Sequence, residues 1–260
     1  MGTATVQGDL WSGAPRDWAE LQEPLFTPIY EAILKAANVS RGQKVLDVGC
    51  GSGLFCQIAA QRGAEVSGID AAPKLVEIAS ERTPKGDFHI GEMEELPFAK
   101  ASFDLVTGVN AFQFAADPVN ALRQAQRVTK PSGKIAVAVW GAAKDCQAAT
   151  FLKAIGSTLP PPPPGAPGPF ALSDPGVLEA LLSKAGLKPQ TSAEADTPFI
   201  YKNDDVAWRA IVGSGPGVRA LRHAGEAKLR EVLMPAISPF KKADGSYRFE
   251  NKFRYVLAEP

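Results

Sequence analysis

The stretch Lys44-Val45-Leu46-Asp47-Val48-Gly49-Cys50-Gly51-Ser52-Gly53 decides the fold. Its apolar residues around Asp47 read as a short buried strand. Glycines at alternate positions follow, and Leu54-Phe55-Cys56-Gln57-Ile58-Ala59-Ala60 resumes with helical periodicity. Strand, glycine turn and helix make the first crossover of an α/β nucleotide-binding sheet. Such a turn favours glycine, because the main chain must approach a ligand with no Cβ in the way. The N–H groups opening the helix then face an anionic or acceptor group. The spacing is Asp47-x-Gly49-x-Gly51-x-Gly53, and Leu54 stands where a dinucleotide fingerprint needs its third glycine.

Downstream, Ala64 to Asp70 reads as the second strand and ends in an acid about twenty residues past the loop, where a ribose-binding carboxylate belongs. Pro73 to Arg82 is the next helix, and Ala71 and Leu75 would pack beside a base. Phe88-His89-Ile90 is the third strand and Ser102 to Asn110 the fourth. Asp117-Pro118 starts a helix through Val128, Lys130 to Gly133 is a turn, and Lys134 to Trp140 is a fifth strand buried on both faces. Ligands bind outside the carboxyl ends of parallel strands, so Asn110 to Phe114 should open onto the cleft.

Taken together, these segments resemble the class I S-adenosylmethionine (SAM) dependent methyltransferases, of the small-molecule, UbiE-like type 11 branch. Asp47 with the three glycines resembles the family's first motif, Gly91-Glu92-Met93 its adenine segment, and Phe103-Asp104-Leu105-Val106 its fourth strand. The likeness runs from about Gln43 to Trp140. It implies SAM as the cofactor, bound by Asp47, Gly49, Gly51, Gly53, Asp70, Ala71, Leu75, Glu92, Met93 and Asn110. Glu92 would accept from the adenine amine, and main chain near Asn110 would meet the methionine amine. Gln113 and Phe114 fall where substrate-facing side chains occur, and Trp18, Tyr30 and Trp140 join them as pocket candidates. Ala111 and Phe112 after Asn110 replace the prolines of the amino-methylating DNA enzymes, and no aspartate matches the metal-dependent catechol methylators.

The resemblance implies an α/β, Rossmann-like, seven-stranded and mostly parallel sheet, with helices on both faces and an antiparallel last strand. We read residues 1–260 as one domain. Within it, 1–40 is a helical cover, helical from Leu25, and 43–140 is the SAM-binding core. Insertions at 141–172 and 203–240 form a helical lid. Ala142 to Leu159 looks helical, Pro160 to Pro169 reads as a polyproline II spacer, 187–201 as the sixth strand, and Tyr247 to Leu257 as the last, with a bulge near Asn251.

Lys and Arg (28) balance Asp and Glu (28), so the basic field of a nucleic-acid binder is missing from the overall charge. The 3 cysteines make no disulfide framework, and with only 2 histidines a metal site is not expected. Met1 to Val6 lacks the start of a signal peptide, and no run spans a bilayer, so the expected setting is cytoplasmic, with neither membrane nor nucleic acid as partner. Oligomeric state is not legible.

The function expected is transfer of the sulfonium methyl group to an O, N or C nucleophile of a small, partly apolar or aromatic molecule. His223 is the candidate general base. Two alternatives fit part of the pattern: an NAD(P)-dependent oxidoreductase, weakened by Leu54, and a non-catalytic SAM-binding protein.

Overall fold

A computed structural model describes residues 2–161 and 168–260. Its main sheet holds β1 (Lys44–Val48), β2 (Glu65–Asp70), β3 (Asp87–Ile90), β4 (Phe103–Val109), β5 (Thr129–Trp140), β6 (Lys188–Asp196) and β9 (Lys252–Glu259), while β7 (Phe199–Tyr201) and β8 (Tyr247–Phe249) form a separate ribbon. The 7-stranded order is β3-β2-β1-β4-β5-β9-β6. Neighbours from β3 to β5 are parallel, and β9 runs antiparallel to both β5 and β6. The order reverses direction between β1 and β4, which opens a crevice at the carboxyl ends of those strands.

Helices α1 (Ala4–Trp11), α2 (Pro15–Asp17) and α3 (Thr27–Ala36) precede β1; α4 (Leu54–Gln61), α5 (Pro73–Arg82) and α6 (Pro118–Val128) are crossovers. Between β5 and β6 lie α7 (Ala149–Ser157) and α8 (Val177–Lys184); between β7 and β8 lie α9 (Asp204–Val212), α10 (Gly215–Ala224) and α11 (Glu226–Ile237).

Alternation along the central strands fills two cores. Val45, Leu105 and Ala136 pack with Ile33 and Leu34 of α3 and Phe55 of α4. Leu46, Val106, Ile135 and Val137 pack on the other face with Leu122 and Ala125 of α6 and Leu178 and Leu182 of α8. The first core continues past the sheet into Phe151 of α7, Trp208 of α9 and Leu229 and Leu233 of α11. Burial on both faces explains why these strands read as near-continuous apolar runs.

Several expected boundaries move. The helix expected from Leu25 is α3 and begins at Thr27, after a wide π turn over Trp18–Gln22 and a tight 3-10 turn over Glu23–Phe26. Lys130 to Gly133 is no free turn but an irregularity inside β5, where pairing steps from Phe103–Thr129 to Leu105–Lys134. The helix expected over 142–159 is confined to α7, preceded by a 3-10 turn over Ala143–Asp145. The polyproline reading of 160–169 falls mainly on 162–167, outside the described residues.

The supposed sixth and last strands are each two strands. Asp196 lies opposite Lys252 and Phe199 opposite Phe249, so β6–β9 and β7–β8 keep one register across a shared break. Pro198 has no N–H to give a ladder. Across the break Thr197 donates its N–H to the Asn251 carbonyl at 2.8 Å. The buried Asn251 side chain accepts from the Ala148 N–H at 2.9 Å and donates to the Phe249 carbonyl at 3.3 Å, which ties the bend to the start of α7. Asn251→Ala strands the Ala148 N–H, and the expected loss is about 1–3 kcal/mol, read as a lower urea midpoint at unchanged slope.

Candidate functional site

One cavity of about 550 Å³ opens at the carboxyl ends of the central strands. Its floor is Gly49, Cys50 and Gly51 after β1, Asp70 and Ala71 after β2, and Asn110 and Ala111 after β4. Gly49, Gly51 and Gly53 have φ of 74°, 53° and 82°, a region other residues enter at a cost. At Gly49 space also forbids a side chain, because an added Cβ would meet the Ala111 Cβ at 2.5 Å.

The loop is held in shape from β2. One Asp70 carboxylate oxygen accepts from the Gly51 N–H at 2.9 Å and the other from the Ala72 N–H at 2.8 Å. Burial pushes this carboxyl up, against the N–H groups that favour its charge. Each oxygen keeps a second lone pair for a ligand. Asp47 sits deeper and is not among the cavity-lining residues; it accepts from the Thr107 hydroxyl at 2.7 Å on β4. Burial, then the Glu23 and Asp70 carboxylates, push Asp47 up to about 7 against that hydrogen bond. Gly53 likewise lies beneath the wall, packed against Ala79 of α5.

Glu23 and Arg82 went unnoticed in the sequence. Glu23 is buried, and its carboxylate takes the Ser52 N–H at 3.0 Å, the Ser52 hydroxyl and the Arg82 guanidinium. Arg82 also donates to the Ser52 carbonyl at 3.0 Å and to the Ala19 carbonyl. This network binds the N-terminal cover to the glycine loop across the end of α5. Glu23 stands among Glu20 and Gln22 with nothing local to single it out, and its partners lie about thirty and sixty residues away.

The residues expected beside the base meet a second unexpected neighbour. Ala71, Leu75, Glu92 and Met93 all line the cavity. Yet Glu92 accepts the Ala4 N–H at 2.9 Å and so caps α1, favourably placed at its N-terminus. Gly8 of α1 is buried so closely on Ala71 that an added Cβ would stand 2.1 Å from its carbonyl oxygen. Helix α1 therefore forms the wall of the cavity at this end.

Asn110 adopts φ of 52°, tolerable for asparagine, and its side-chain oxygen accepts from Gln113 at 3.0 Å. Two polar atoms at this polar end are buried without a partner, the Trp18 Nε1 and the Gln113 Oε1. Trp18 Nε1 lies 3.3 Å from where a Cβ on Gly51 would be. Buried polar atoms are otherwise nearly always paired, so this donor and acceptor suit a ligand with both an acceptor and a donor group.

The remainder of the cavity is apolar. Phe26, Tyr30, Trp140, Phe151, Ile155 and Phe199 line it, and Trp11 lies edge-on to Trp18 with centroids 4.7 Å apart. Trp18, Tyr30, Gln113, Phe114 and Trp140 are all in this wall. His223 is not: it is exposed in the last turn of α10, on a charged stretch facing outward, and does not line the cavity. The three cysteines are buried and unpaired, and burial pushes the Cys50 and Cys56 thiols up. Among the described residues no group of three or more His, Cys, Asp or Glu side chains could hold a metal ion, and no helix is long and apolar enough to cross a membrane.

Residues 46–137 match the model of a family described as a methyltransferase domain. The chain is 36% identical over 121 residues to a ubiquinone biosynthesis O-methyltransferase of Xanthomonas oryzae, covering 44% of this chain and 51% of that one. It is 37% identical over 106 residues to a demethylmenaquinone methyltransferase of Renibacterium salmoninarum, covering 41% and 45%. It thus spans about half the length of the curated relatives it matches. A Haloferax volcanii chain solved in complex with the Trm112 methyltransferase activator superposes with a TM-score of 0.62 at 18% identity, over 96% of both chains. Sheet order and glycine loop agree with this match, which places a methyltransferase domain over residues 46–137.

The Asp47 carboxyl offers a check on this geometry. Its folded state holds a proton more tightly than the unfolded chain, where such a group titrates near 4. It therefore favours folding at acid pH, and that contribution is lost as pH rises from about 4 to about 7. Over this window wild-type protein should lose stability relative to Asp47→Asn, whose side chain still accepts from Thr107; urea midpoints of the two at stepped pH measure it.

Proposed function

We propose that this protein is a SAM-dependent methyltransferase acting on a small, largely apolar molecule. The observation that carries the reading is a pair of unpaired groups on the residues lining one cavity, the Trp18 N–H beside Gly51 and the Gln113 oxygen by Asn110. A carboxylate would satisfy the first and an ammonium the second, which matches the amino-acid end of SAM. Asp70 would receive the paired ribose hydroxyls on its remaining lone pairs, and Leu75 and Met93 would flank the base. Glu92 reaches the base only where it can serve α1 as well. When bound, SAM supplies a methyl group already activated on a positively charged sulfur.

The chain's own part is to bind, to orient and to exclude water. Positioning of this kind provides several kcal/mol toward a bimolecular transfer. The glycine loop would fix one reactant on the sheet, while α1, α7, α9 and α10 enclose the apolar space for the other. Tyr30 is held neutral, since burial raises its phenol well above the usual range. Aromatic faces of Trp18 and Tyr30 suit a sulfonium cation. The relatives' names, one an O-methyltransferase of ubiquinone biosynthesis and one a demethylmenaquinone methyltransferase, support an acceptor of this apolar kind. The nicotinamide alternative lacks its third glycine at Leu54. Unpaired cysteines fit a reducing, cytoplasmic setting.

Calorimetry with SAM tests the assignment. Asp70→Ala should weaken binding by about 1–3 kcal/mol through lost charge-assisted hydrogen bonds; unchanged affinity removes Asp70 from the site. Trp18→Phe keeps the ring and deletes the donor, with an expected loss of about 1 kcal/mol in SAM affinity. Equal binding by that variant would sink the reading of the unpaired N–H. Release of S-adenosylhomocysteine with an apolar acceptor is the direct activity readout.

A further inference from the structure

The polar groups of the cavity are unevenly placed. Its carboxylates are already engaged: Glu23 by Ser52 and Arg82, Asp70 by two main-chain N–H groups, Glu92 by the start of α1. Among the described lining residues the one cationic side chain is Arg219, on α10, whose side chain is exposed at the rim. Nearby arginines of the cover and cap have acidic partners: Arg222 with Asp9, Arg209 with Asp17 at 2.6 Å, Arg16 with Glu81 at 2.8 Å. Arg219 has none within 4.0 Å among the described residues.

Its helix is firmly seated. Gly215 of α10 lies against Trp11 so closely that a Cβ would meet the ring at 2.6 Å, and Gly13 abuts Val218 in the same way. Arg219, one turn beyond Gly215, is thereby held over the mouth of a space walled by Trp11, Leu152, Ile155, Leu159, Leu172 and Ile211. Apolar walls strengthen the pull of a cation on an anion at such a rim.

We propose that the acceptor is an apolar molecule bearing an anionic group, with its body in the apolar half of the cavity and its anion on Arg219. This deepens the methyltransferase reading by naming the acceptor's class, and makes Arg219 a specificity residue rather than a catalytic one.

The test uses full-length protein and the neutral dye N-phenyl-1-naphthylamine, which fluoresces in apolar cavities, displaced by decanoate or by decan-1-ol. Wild-type protein should release the dye to both. Arg219→Ala should weaken displacement by decanoate about fivefold, the scale of a half-exposed ion pair, and leave decan-1-ol unchanged. Arg219→Lys should restore most of the loss. Equal weakening of both ligands would reduce Arg219 to packing, and an unaffected decanoate or a wild-type cavity that takes no dye would overturn the proposal. SAM calorimetry on the same proteins separates the two readings: wild type that binds decanoate through Arg219 but not SAM refutes the methyltransferase assignment alone.

Discussion

Asp70 turns one carboxylate oxygen to the Gly51 N–H and the other to the Ala72 N–H, and so fixes the bend between β1 and α4 from the neighbouring strand. The loop it shapes runs through three residues at positive φ, a conformation that its own sequence permits but does not enforce. Without the carboxylate the glycines would be free to sample other paths. With it, the main chain presents a fixed surface at the point where the strand order reverses. The rest of the cavity is positioned relative to that surface: Asn110 just after β4, and Trp18 and Glu23 set against the loop from the N-terminal cover.

A second layer rests on this one. Glu23 and Arg82 are charged groups in a poorly hydrated place, and each is satisfied only because Ser52 sits in the loop between them. Burying such a pair is costly unless every hydrogen bond is made. The N-terminal segment thus docks in one register on the loop, which explains why it departs from regular α-helix over Trp18–Phe26. The wide and tight turns there bring Trp18, Gln22 and Glu23 to the cavity rather than spacing them around a helix.

The sheet and its glycine loop were legible because their signals are local. Apolar runs of strand length and an acid about twenty residues past Gly49 follow from burial and loop geometry within a short window. Two kinds of feature were not. The Glu23–Arg82–Ser52 contact and the seating of Gly8 on Ala71 join residues far apart, and nothing near either residue distinguishes them from an ordinary helix. The division of the late strands was also hidden, because Tyr247 to Leu257 alternates as a single strand would, and only the pairing partner shows where it bends. His223 shows the opposite failure: a residue type that suggests chemistry, placed by its helix on the outside.

The unbroken register from β6–β9 into β7–β8 gives the cap a particular relation to the sheet. Helices α9 to α11 are carried on the tip of one long bent hairpin, and both ends of the excursion return to adjacent positions. No ladder below the bend runs through that tip, while its helices join the first core through Trp208, Leu229 and Leu233. The architecture therefore puts the glycine-loop end of the sheet and the helices that close over it on separate stretches of chain, joined at a single bend.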